Sequence, residues 1–155
     1  MKSRIILAAC VLATVFGSMA QAQTGPMSFI NPGIKIAYEL GGNGRLKVGL
    51  EVSYSVWSKD ADVYSVAIGI DNWDELFKLR IGLEGQRRML GVMIGPAFLL
   101  QDSVWSVGLA MSVFTGMIVY PYCEMTMRFD EAKNIYELGS YVKLPLNVGG
   151  KKFSF

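Results

Sequence analysis

One stretch limits the folds open to this chain more than any other. Residues 45–58 read R-L-K-V-G-L-E-V-S-Y-S-V-W-S, and every even position from Leu46 to Val56 is large and apolar: Leu46, Val48, Leu50, Val52, Tyr54, Val56. The odd positions through Ser55 are charged or small: Arg45, Lys47, Gly49, Glu51, Ser53, Ser55. An extended strand sends successive side chains to opposite faces, so the stretch predicts one strand with an oily face and a polar face.

The pattern recurs along the chain. Thr24 to Asn31 reads as a lead-in, with Pro26 and Pro32 delaying the first pairing. Alternation then begins with Ile34, Ile36, Tyr38 and Leu40 against Gly33, Lys35, Ala37 and Glu39. Gly41-Gly42-Asn43-Gly44 supplies a hairpin turn, because Gly and Asn tolerate positive φ. Further strands carry their apolar sets at Tyr64 and Ile70, Phe77 and Leu83, Leu90 and Leu100, Trp105 and Val113, Val119 and Met127, and Tyr136 and Leu146. Polar turns separate them. The count is about eight strands of roughly 10–13 residues, against the ~9–11 that a tilted strand needs to cross a bilayer.

Composition fits one domain with its apolar residues spread over strands. The chain has 155 residues, 52% of them hydrophobic, and a mean hydropathy of +0.33. Yet no apolar run after residue 22 approaches the roughly 18 residues of a membrane helix. The net charge of +2 and the lack of a basic run with interleaved aromatics argue against nucleic acid as a partner. Residues 1–22 read as a cleaved signal peptide: Lys2 and Arg4, an apolar run over 5–16, then Ala20-Gln21-Ala22. Leu7-Ala8-Ala9-Cys10 resembles a lipobox, but only Ile5, Ile6 and Leu7 would form its apolar core. The barrel domain then spans 23–155. With Cys10 removed, Cys123 stands alone on the apolar face of its strand, a small hydrophobe with no disulfide partner.

Soluble barrels alternate too, so the residue types on each face decide the environment. Lys35, Glu39, Lys47, Glu51, Lys78, Arg80, Glu84, Glu124, Arg128, Glu137 and Lys143 all share the polar face, and no strand has a charge on its apolar face. The polar face is also rich in Gly, Ala and Ser, which fit long side chains into a narrow barrel interior. The apolar face is bulky throughout, which suits lipid. Tyr38, Phe77, Phe98, Trp105 and Tyr136 cluster at one set of strand ends, and Tyr54 and Tyr64 lie toward the other, as two interfacial girdles would. The expected fold is all-β: an eight-stranded antiparallel up-and-down transmembrane β-barrel.

This architecture resembles the small outer-membrane barrels of Gram-negative bacteria, typified by the transmembrane domain of outer membrane protein A. The resemblance covers the whole mature chain and rests on architecture, not on a motif. It implies location in the bacterial outer membrane, contact with outer-membrane lipid, and insertion by an assembly machinery that reads a terminal aromatic residue. The chain ends Lys152-Phe153-Ser154-Phe155, but Phe153 and Phe155 are out of phase with the even-numbered apolar set of the last strand. A bulge at Gly149-Gly150 would reset that phase.

A loop at Gly42-Asn43-Gly44 would set Leu40 against Leu46, Glu39 against Lys47 and Lys35 against Glu51, giving two cross-strand charge pairs. The lumen charges then predict an interior ion-pair network of nearly balanced sign. Catalysis is not expected. The chain lacks His, which removes the usual general base and most transition-metal sites, and no phosphate loop is present. No cofactor is implied. The expected role is structural, in envelope integrity. Alternatives are a narrow ion or small-solute channel, or a soluble periplasmic lipocalin-like barrel with apolar residues lining an inner cavity.

Overall fold

A computed structural model describes residues 27–40, 44–58, 62–73, 76–130 and 132–149. The signal-peptide reading of 1–22, the start of the lead-in and the terminal Phe153 and Phe155 fall outside those residues. The strands are β1 (Met27–Leu40), β2 (Leu46–Trp57), β3 (Asp62–Trp73), β4 (Leu76–Arg87), β5 (Leu90–Gln101), β6 (Val104–Thr115), β7 (Val119–Arg128), β8 (Ile135–Lys143) and β9 (Leu146–Gly149). Each pairs antiparallel with its sequence neighbour from β1 to β8, and β1 also pairs with β8 and β9. β9 continues β8 in one register on β1, with Gly33 opposite Lys143 and Ile30 opposite Leu146. Eight staves therefore close into an up-and-down barrel. No helix among the described residues is long and apolar enough to cross a membrane.

Pro32 does not delay pairing as the sequence suggests. β1 starts at Met27, opposite Trp57, and Pro32 itself faces Val52. Proline is tolerated because the neighbouring stave is interrupted at the same level, between β8 and β9. There the Leu144 N–H donates to the Pro32 carbonyl at 2.9 Å, so the missing N–H of Pro32 falls in a gap of the ladder. A one-residue slip follows, between Ser28–Gly149 and Phe29–Asn147. This places a bulge next to Gly149, close to where the last strand needed one.

The first hairpin pairs two residues away from the expected register. Tyr38, not Leu40, faces Leu46; Lys35 faces Gly49, and Gly33 faces Glu51. The Glu39 N–H donates to the Arg45 carbonyl at 2.8 Å, which gives a longer loop than Gly42-Asn43-Gly44. A slip of two preserves every side chain's face, because the strand period is two. β3 likewise runs on through Asn72 and Trp73, where the sequence N-W-D-E suggests a turn beginning at Asn72.

Facing is unambiguous. Val48 and Leu50 are 54% and 64% exposed on the outer wall, whereas Lys47 and Glu51 are 1% and 2% exposed inside. Inward glycines let staves approach: a Cβ on Gly95 would lie 1.9 Å from the Ile81 carbonyl oxygen and 2.7 Å from the Gly82 Cα. Some apolar residues also point inward, among them Phe29, Leu76, Leu99 and Ile135.

Candidate functional site in the barrel interior

The middle of the barrel is filled by ionised side chains from six staves. On β1, the Lys35 ammonium lies 2.7 Å from both Asp71 and Glu137. On β4, the Lys78 ammonium reaches Glu137 at 2.6 Å, Glu124 at 2.8 Å and Asp71 at 3.1 Å. Arg80, two residues on, bridges Glu51 and Glu124. Lys47 on β2 pairs with Glu39 at 2.7 Å and Glu137 at 3.1 Å. Lys143 on β8 pairs with Glu51 at 2.5 Å and Glu84 at 3.0 Å. Five cations thus face six carboxylates. Such burial is tolerable only with partners, since an unpaired charge away from water is costly.

Of the residues singled out in the sequence, Lys35, Lys47, Glu51, Lys78, Arg80, Glu84, Glu124, Glu137 and Lys143 meet in this network, and Glu39 caps it from a partly exposed position. Arg128 does not join it. Its guanidinium turns to the rim, donating to Asp130 at 2.6 and 3.0 Å and to Gln101 at 2.9 Å. The expected Lys35–Glu51 pair is replaced, because the two-residue slip sets Lys35 opposite Gly49. The Glu39–Lys47 pair forms as a diagonal contact. Asp71 is the member that the sequence places on the polar face of its strand but that the expected charge network did not include. It shares the parity of Ala67 and Gly69, but lies beside residues read as a turn.

The aromatics named in the sequence lie on the outer wall. Tyr38, Tyr54, Tyr64, Trp105 and Tyr136 are exposed, and Phe77 and Phe98 are half-buried. Tyr38, Phe77, Phe98, Trp105 and Tyr136 sit near the strand ends that carry the 41–45, 74–75, 102–103 and 129–134 connections. Tyr54 and Tyr64 sit toward the other end, where β1 begins and β9 ends. A second aromatic set is internal: Tyr122 and Tyr141 have ring centroids 4.4 Å apart. The Lys35 ammonium lies 5.2 Å from the Tyr122 centroid, and that of Lys143 lies 5.3 Å from the Tyr141 centroid. These are cation–π distances.

Asp71, Glu124 and Glu137 bring three carboxylates within metal-ligand reach of one another. The donor set suits a hard cation, but the Lys35 and Lys78 ammoniums already bind all three, so a metal would have to displace both. The cluster reads as a closed ion-pair core.

Beyond the Lys143–Glu84 pair the filling stops. A cavity of about 240 Å³ opens toward the end where β1 begins and β9 ends. Its walls differ. Asn31, Ser53, Ser55 and Ser65 from β1 to β3 form a hydrogen-bonded ladder on one side. Phe114 and Tyr120 from β6 and β7 lie on the other, with ring centroids 5.8 Å apart. No protein-family profile and no curated protein matches the chain.

Proposed function

We propose that this protein is a small integral outer-membrane β-barrel, exported by its N-terminal signal peptide, with a structural role in the envelope and no catalytic activity. The observation that carries this reading is the inversion of a soluble fold: a continuous oily outer wall around a paired ionic interior. Soluble monomers rarely expose apolar patches beyond a few hundred Å², and here Ile34, Val48, Leu50, Ile68, Val92 and Leu138 are each at least half exposed. Lipid hydrocarbon is the solvent that suits such a wall, and stave lengths of 12 residues in β2 to β6 match its thickness. Partners would then be outer-membrane lipid and, during insertion, the assembly machinery.

The lipocalin-like alternative requires Leu50 inside and Glu51 outside, the reverse of their positions. The channel alternative has little support, since Lys35, Lys78 and Arg80 are almost fully enclosed at mid-lumen. The test uses the native thiol. Cys123 is on the outer wall, where a thiol facing hydrocarbon does not form the reactive thiolate, so in the folded, membrane-embedded protein it should resist a charged maleimide and react once the protein is denatured. The detergent-extracted protein should also migrate differently on gels before and after boiling. Full solubility without detergent would overturn the proposal.

A further inference from the structure

Filling of the barrel interior is uneven, and the unevenness has a chemical sense. At mid-barrel, long charged side chains leave little space. Toward the end where β1 begins, β2 and β3 present Ser53, Ser55 and Ser65 instead, and the 240 Å³ cavity lies against them. Strands four apart in the order stand across the barrel, so this hydroxyl wall faces the aromatic wall of β6 and β7.

The ladder leaves hydrogens to give. Asn31 Nδ2 donates to Ser53 Oγ at 3.2 Å and to Ser55 Oγ at 2.6 Å. The Ser55 and Ser65 hydroxyls share one bond of 2.8 Å. An amide NH₂ has two hydrogens and each hydroxyl one. Both amide hydrogens and one Ser55/Ser65 hydrogen are therefore committed. The Ser53 hydrogen and the remaining one of the Ser55/Ser65 pair have no acceptor among the described residues. By contrast, the charge at the floor is satisfied, because Lys143 is held by Glu51 and Glu84. A charged ligand would have to break those pairs; a neutral one would not.

A guest for this space is compact and uncharged, with oxygen acceptors on one side and a C–H face on the other. We propose that the cavity is a binding site for a single sugar ring, its hydroxyl oxygens toward Ser53, Ser55 and Ser65 and its C–H face toward Phe114 and Tyr120. Tyr120 is fixed for that contact, since its hydroxyl donates to the Met117 carbonyl at 2.6 Å. Gln86 braces the mouth, donating from Nε2 to the carbonyls of Arg88 at 2.9 Å and Gly116 at 2.8 Å. The inference does not depend on the barrel's location.

The test is an NMR titration of the full barrel in a zwitterionic detergent without a sugar headgroup. Methyl glucoside and N-acetylglucosamine are the probes, and cyclohexanol is a comparator of similar ring size with one hydroxyl. The expected result is saturable shifts at the Trp57 indole N–H and the Ser55 and Ser65 amides, with a Kd on the order of millimolar for a ligand of about a dozen heavy atoms. Cyclohexanol should bind at least ~10-fold more weakly. Combining Ser55→Ala with Ser65→Ala should weaken the sugars by about tenfold or more while leaving cyclohexanol unchanged. Adding a trisaccharide separates the two sources of such a ring. Equal affinity points to a free monosaccharide, whereas tighter binding with shifts at Arg88 and Met89 points to the end of a glycan chain. No saturable shift, or cyclohexanol binding as tightly as the sugars, overturns the proposal, and the wild-type comparison decides this even if the variants fail to fold.

Discussion

Lys78 on β4 and Glu137 on β8 meet 2.6 Å apart across the full width of the barrel, since their strands stand opposite in the order. The pair works as a strut, and its partners Asp71 and Glu124 tie in two more staves. Lys78→Met should cost about 3–5 kcal/mol by leaving three carboxylates short of a cation. Adding Glu137→Gln should recover part of that loss, giving a coupling of about 0.5–3 kcal/mol in a double-mutant cycle. Urea unfolding from lipid vesicles is the measurement; strictly additive losses would mean that the strut carries no pairwise energy.

Leu50 and Leu46 share the outer wall of β2 but differ in depth. If that wall faces hydrocarbon, Leu50→Arg near mid-strand should cost about 2–4 kcal/mol, and Leu46→Arg at the strand end about 0–1 kcal/mol. Unfolding from vesicles reads both. A wall facing water predicts no such gradient, and Leu50→Arg would then leave stability unchanged.

The close approach of β4 and β5 gives a steric prediction. Gly95→Ala would drive a methyl group against the Ile81 carbonyl, which is backbone and cannot swing aside. A loss of about 1–3 kcal/mol should follow. Gly85 is the control: a Cβ there meets nothing within 4 Å, so Gly85→Ala should stay within about 0.5 kcal/mol of wild type. Equal effects at the two sites would show that the staves relax apart.

At the rim, hydrogen bonds from Arg128 hold the Asp130 carboxyl below its ordinary value of 3.8. A depressed carboxyl pKa favours the folded state above the unfolded pKa, and that contribution disappears as pH falls through the lowered folded value. Carbon-detected NMR titration should place the Asp130 midpoint below 3.8, and Arg128→Ala should move it upward. An unmoved midpoint would separate the carboxylate from Arg128.

The face of nearly every stave was legible from parity alone, because one enclosed polar side and one apolar outer side leave a period-two signal that a single Gly or Ser does not erase. Lys35, Arg80, Glu124 and Glu137 were placed inside by that signal. It could not choose their partners. Which carboxylate Lys35 meets depends on stagger between strands, and a slip of two residues re-pairs Lys35 without changing its face. Asp71 falls on the polar face of its strand by the same parity, but as the last residue before an apparent turn it did not count among the lumen charges, while the Phe29 end of β1 was missed because Pro32 reads as a break unless the gap at Pro145 is known. The cavity was invisible for a related reason: Ser53, Ser55 and Ser65 register in sequence as small residues, and only the folded barrel shows that Phe114 and Tyr120 across from them leave a space between.

The seam where β1 meets β8 has a kinetic consequence. Lys35 and Glu137 are 102 positions apart, whereas the other stave pairs join successive strands through short connections. Hairpins can form as soon as their own residues are available, but the ring stays open until the C-terminal stave arrives, and that last step bears the largest loss of chain freedom. Glu137 is also the acceptor shared by Lys35, Lys47 and Lys78, so ring closure also completes the pairing of these three ammoniums. A chain halted short of β8 would keep both flanking edges bare and three ammoniums without their common counter-ion.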